Sequence, residues 1–150
     1  MELFGIPLHP LVVHAVVVLV PLVALGVLVV AFWGKARRQF GWLLAVFSVG
    51  AVGATLLAAE SGEELFESLG EEASSTLSSH MSWGRVAFWP ALVMAVALIA
   101  MMLTTRGRDP KQRLPMLYWV TAVIAALAAV ASLVLVVMVG HSGATAVWSE

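Results

Sequence analysis

Apolar residues run through the chain in four stretches, Leu3 to Gly34, Phe40 to Ala59, Val86 to Thr105 and Leu114 to Gly140, with no charged side chain inside any of them. A helix rises about 1.5 Å per residue, so each stretch is long enough to cross a bilayer core of about 30 Å. The pattern predicts an all-α fold, an integral membrane four-helix bundle forming a single domain over residues 1–150. Its spans are expected at about 8–33, 40–60, 80–105 and 114–140, with an outer loop over 61–79. Composition sharpens the assignment: 61% of residues are hydrophobic and 11% charged, and mean hydropathy is +0.99. Soluble domains have roughly 45–50% apolar and about 25% charged residues, which excludes a water-soluble globule.

Within the spans, Pro7 and Pro10 suit a helix start, where the missing N–H has no intrahelical partner. Pro21 and Pro90 lie deeper and are expected to kink their helices, freeing the carbonyls of Val17 and Val86. Gly50, Ala54 and Ala58 recur every fourth residue in span two and predict a smooth strip for a neighbouring helix or a flat ligand. Ala122, Ala125, Ala126, Ala128, Ala129 and Ser132 do the same in span four. No internal repeat is evident beyond the prolines of spans one and three. Ser61 with Glu64 reads as a capping box that starts a short outer amphipathic helix over 62–69, ended by Gly70. A linker then follows from Glu71 to Ser79, with Ser78 or Ser79 capping span three.

Charge orients the spans. Seven of the eight basic residues, Lys35, Arg37, Arg38, Arg106, Arg108, Lys111 and Arg113, fall in two short connections, which the positive-inside rule places in the cytoplasm. The connection between spans two and three carries Glu60, Glu63, Glu64, Glu67, Glu71 and Glu72 and no base. Both termini are therefore expected on the outer side of a bacterial cytoplasmic (inner) membrane. Trp33, Trp42, Tyr118 and Trp119 are expected at the inner interface and Trp83 and Trp148 at the outer one. The N-terminus carries Glu2 in place of a basic n-region and its apolar run is too long for an h-region, so the first span is expected to be retained.

Candidate chemistry resides in the four histidines. His9, His14, His80 and His141 all fall at the outer ends of spans. His14 is the deepest, among Val12, Val13, Val16, Val17 and Val18, where an imidazole without a partner is costly. Converging imidazoles in a helix bundle suit the iron of b-type haem, and equally zinc or copper. Cysteine is absent, which removes disulfides, thiolate sites and iron–sulfur clusters. Arg85 is the one base on the outer side and a candidate partner for a haem propionate; a nearby glutamate such as Glu60, or the headgroups, would serve it as well. His9 and His14 are separated by about 140° on a regular helix, so they suit two sites better than one. Ser79, Ser82, Ser142 and Thr145 are candidates to orient the rings.

The opening Gly5-Ile-Pro-Leu-His-Pro-Leu-Val-Val-His14, a glycine- and alanine-rich second span, a histidine entering the third span and Gly140-His-Ser-Gly143 after the fourth resemble a bacterial family. It comprises small four-helix membrane proteins known as domain of unknown function 2231. The resemblance covers nearly the whole chain, although family members carry Phe-Pro after the second histidine where this chain has Ala15-Val16. Kinship of that family with two-haem membrane cytochromes would imply His9, His14, His80 and His141 as axial ligands. The functional expectation is a membrane electron-transfer protein holding one or two haem b groups in the outer half of the bundle and exchanging electrons with quinol or an extracytoplasmic partner. The alternatives are an accessory or structural subunit of a larger respiratory complex, or of a homo-oligomer, and a zinc or copper site of three histidines. Membrane lipid is the expected surrounding partner. Nucleic-acid binding is not expected at a net charge of −1 with the bases confined to juxtamembrane connections, and no serine or aspartate completes a hydrolytic triad.

Overall fold

The computed structural model describes residues 2–3, 6–69, 75–109 and 111–148. A two-stranded antiparallel ribbon, β1 (Glu2–Leu3) and β2 (Ile6–Pro7), pairs Glu2 with Pro7 and Leu3 with Ile6. Four helices follow: α1 (Leu8–Phe32), α2 (Gly34–Leu69), α3 (Ser75–Thr105) and α4 (Met116–Trp148). All four are long and apolar enough to cross a membrane. Pro7 belongs to the ribbon and Pro10 to the first turn of α1, while Pro21 and Pro90 sit inside continuous helices.

Two boundaries differ from expectation. Residues 62–69 are helical, but as the last turns of α2, which runs unbroken for 36 residues, or roughly 54 Å. Ser61 therefore caps nothing: its hydroxyl donates back to the Leu57 carbonyl at 2.6 Å and the Ala58 carbonyl at 3.3 Å, the mid-helix alternative open to serine. Likewise α3 begins at Ser75, ahead of Ser78 and Ser79. The expected stop at Gly70 and the linker residues 71–74, with Glu71 and Glu72, lie outside the described residues. At the opposite end, Trp33 alone joins α1 to α2, and Lys35, Arg37 and Arg38 form the first turns of α2. Gly107, at φ +70°, turns the chain after α3, a left-handed conformation that glycine adopts without steric cost.

The helices pack unevenly along their length. On α1 the buried residues are Val20, Val23, Ala24, Val27, Val30 and Ala31, a three-and-four spacing that keeps one stripe against the bundle. They meet Ala45 and Ala51 of α2, Met94, Leu98 and Met101 of α3, and Ala122, Ala125 and Ala129 of α4. Small side chains on α2 and α4 let backbones approach closely, and Gly26 takes the Leu44 side chain where a Cβ would stand 2.7 Å from its Cδ1. The alanine run of α4 thus packs as expected. The strip expected from Gly50, Ala54 and Ala58 holds only at its far end: Gly50 is exposed with nothing near it, Ala54 is half-buried, Ala58 lines the cavity, and Ala45, Ser48, Ala51 and Thr55 form the buried face of α2. Above Val20 on α1, Ala91 on α3 and Ser132 on α4 the packing loosens, and the four helix ends surround a cavity.

Candidate functional site

That cavity, about 460 Å³, lies between the first turns of α1 and α3 and the last turns of α2 and α4. Its walls are mostly aliphatic, from Val13, Val16, Val17, Leu77, Val136 and Val139, and its polar side chains include His9, His14 and His80. For His9 and His80 the helix that supplies the ring differs from the helix that orients it. His9 on α1 donates from Nδ1 to the Ala58 carbonyl of α2 at 2.9 Å, with the Ser61 hydroxyl 3.4 Å away. His80 on α3 donates from Nδ1 to the Val139 carbonyl of α4 at 3.1 Å, with the Ser142 hydroxyl at 3.2 Å.

Glycine sits beneath both rings. A Cβ on Gly62 would stand 2.8 Å from Cε1 of His9, and one on Gly143 would stand 2.9 Å from Cε1 of His80. Each seat therefore consists of a carbonyl, a serine three residues later and a glycine four residues later: Ala58, Ser61 and Gly62 on α2, and Val139, Ser142 and Gly143 on α4. The hairpin of α1 with α2 and the hairpin of α3 with α4 present their histidines in the same way. This local repeat is invisible as sequence identity, since it shares only Ser-Gly and a histidine on the partner helix.

The two rings face each other across the cavity end, centroids 6.3 Å apart and nearly perpendicular at 85°. With Nδ1 donating to a carbonyl, Nε2 of each ring has no hydrogen-bond partner among the described residues, the arrangement common to metal-binding histidines. At a metal–nitrogen distance of about 2.0–2.1 Å, imidazoles on opposite sides of one ion have centroids roughly 6.4 Å apart, against roughly 5.2 Å at a tetrahedral angle. The observed 6.3 Å lies near the first figure and is equally an ordinary edge-to-face ring separation. Among the described residues no three His, Asp or Glu side chains are grouped to hold an ion, so the three-histidine zinc or copper alternative finds no ligand set there.

The other expected site residues are placed differently. His14 lines the same cavity, and its Nδ1 donates within its own turn to the Pro10 carbonyl at 2.5 Å. His141 is exposed and lies outside the cavity lining. Arg85 also lies outside it and forms an ion pair with Glu63 of α2, both side chains about half exposed. Of the proposed orienting groups, Ser142 touches a ring; Ser61, read from sequence as a helix cap, is the second. The signal that finds both seats is the Ser-Gly pair shared by the ends of α2 and α4.

A family model described as "Predicted membrane protein (DUF2231)" matches residues 5–150. The chain belongs to that family. No curated protein and no solved structure matches it. Membership agrees with the four-span architecture, and the matched region takes in both histidine seats.

Proposed function

We propose that the protein is a b-type haem-binding electron carrier of a bacterial cytoplasmic membrane, with His9 and His80 as the residues that would hold the iron at the outward-facing end. The observation that carries this reading is the His9–His80 pair: two imidazoles held through Nδ1 on separate hairpins, ring centroids 6.3 Å apart, in the lining of one mostly aliphatic cavity. The aliphatic walls suit a porphyrin, which needs apolar surface and close backbone approach. Bound haem supplies reversible one-electron chemistry. The chain's own residues hold the ligand rings in one tautomer through the Ala58 and Val139 carbonyls, and they exclude water with valine and leucine side chains. His14, its Nδ1 held on the Pro10 carbonyl, adds a polar ring on the cavity wall suited to hydrogen-bond a quinol hydroxyl.

The positive-inside rule supports the outward orientation, since Arg106, Arg108, Lys111 and Arg113 lie at the opposite end. The test is the absorption spectrum of protein purified from cells grown with ample haem. A Soret band, with α and β bands that sharpen on dithionite reduction, is the expected result. Folded protein without a Soret band overturns the reading.

A further inference from the structure

At the other end of the bundle a second cavity, about 630 Å³, opens between the start of α2 and the connection after α3. Four guanidinium groups line it: Arg37 and Arg38 from α2, and Arg106 and Arg108 from the chain after α3. Arg37 is only 8% exposed. Its Nη1 donates to the Tyr118 hydroxyl at 2.5 Å, and its Cζ stands 4.6 Å from the centroid of that ring. Tyr118 is itself fully buried, and its hydroxyl donates to the Ala31 carbonyl at 2.5 Å. A guanidinium has five N–H donors, and a neutral phenol balances none of its charge. Among the described residues no carboxylate pairs with Arg37.

Buried charge without a counterion is costly, and the chain offers little to offset it. Asp109 is the acidic residue in the cavity lining, and its Oδ1 already accepts the Lys111 amide at 2.8 Å. Glu60, Glu63, Glu64 and Glu67 lie in the last turns of α2, at the far end of the bundle. Trp42 and Trp119, each about half exposed, form part of the wall, and indole rings favour the headgroup level of a membrane.

We propose that this cavity binds a phosphate group, supplied by the headgroup of an anionic phospholipid, with Arg37 at its floor and Arg38, Arg106 and Arg108 around its mouth. Guanidinium groups match phosphate oxygens through paired N–H donors, and basic pockets between spans on the cytoplasmic side recognise anionic headgroups. The site is independent of the histidine cavity, so it stands whether or not haem binds there.

The test uses the full-length protein in neutral detergent, with native mass spectrometry to count retained lipid. Competing phosphatidylglycerol against phosphatidylcholine is expected to show a preference for phosphatidylglycerol on the order of tenfold. Arg37→Ala risks misfolding, so the decisive variant is Arg38→Gln/Arg106→Gln/Arg108→Gln, which changes exposed side chains and is expected to lose that preference while keeping its helical circular dichroism. Inorganic phosphate in the millimolar range is the second arm. If it displaces phosphatidylglycerol fully, the ligand is free phosphate and the lipid assignment is overturned; weak or no displacement supports the headgroup. Equal retention of both lipids, or an unchanged preference in the triple variant, overturns the site altogether.

Discussion

The bundle is tight at one end and open at the other, and each half places its ionisable groups accordingly. In the tight half, Met94, Leu98 and Met101 are fully buried beside Tyr118, and the phenol hydroxyl ties Arg37 of α2 to the Ala31 carbonyl of α1. In the open half no described residue of α1 before Val20 is buried, and the polar links between helices include imidazole-to-carbonyl bonds at the cavity wall. Both halves use one device, a side chain on one helix bonded to a carbonyl on another. In the tight half it locks three elements together. In the open half it fixes two rings, whose second nitrogens have no partner among the described residues. Interior packing supplies most of the stability, so an open cavity lined with histidines is tolerated only where the rest of the bundle is close-packed.

If that contrast holds, the largest stability effects belong to the tight half. Leu98→Ala is expected to lower unfolding free energy by about 2–5 kcal/mol, against less than about 1 kcal/mol for Val13→Ala on the cavity wall, where half the surroundings are already missing. Unfolding in mixed micelles, followed by circular dichroism, compares the two, and equal losses would break the comparison.

Tyr118→Phe comes next. It strands the Arg37 N–H and the Ala31 carbonyl without removing volume, and a loss of about 1–3 kcal/mol is expected. The same measurement checks it; a neutral result means the buried triad contributes nothing.

Gly62→Ala and Gly143→Ala sharpen the comparison from the open side. The new methyl would stand within 3 Å of a ring carbon, so the ring must move off its carbonyl. Stability is expected to change little, while haem retention falls by about tenfold, as for other losses of ligand-orienting contacts. Gly50→Ala, with nothing within 4 Å of the added carbon, is the control and is expected to retain haem fully. Arg85→Ala has the smallest expected effect: its ion pair with Glu63 is half exposed, so the loss is below about 1 kcal/mol, and the haem spectrum should not change.

The fold and the end at which the histidines gather could be read from sequence because uncharged runs and clumped bases are one-dimensional signals with membrane-scale consequences. Two kinds of information could not. Helix rotation was one: Gly50, Ala54 and Ala58 look like a packing strip, yet the bulkier neighbours Ser48 and Thr55 share the buried face with Ala45 and Ala51. Tyr118 likewise reads as an interfacial aromatic beside Trp119, and Arg37 as an orienting charge, because no local pattern reveals that the two meet across 81 positions. Pairing between helices was the other. The spacing of His9 and His14 on one helix is readable, whereas the pairing of His9 with His80 depends on how two hairpins dock. His141 shares a turn with the seat residues Ser142 and Gly143, which explains why the sequence marks that turn without saying that the neighbours of His141, and not His141, face the cavity.

The most direct test of the His9–His80 site is carbon monoxide binding to reduced protein, read in the Soret region for the wild type and for His9→Ala, His80→Ala and His141→Ala. Two imidazole ligands leave no open position on the iron, so the wild type and His141→Ala are expected to show no carbon monoxide shift. His9→Ala and His80→Ala should each retain some haem and acquire the shift, or lose haem entirely. A haem spectrum that survives both His9→Ala and His80→Ala without acquiring the shift would contradict the assignment.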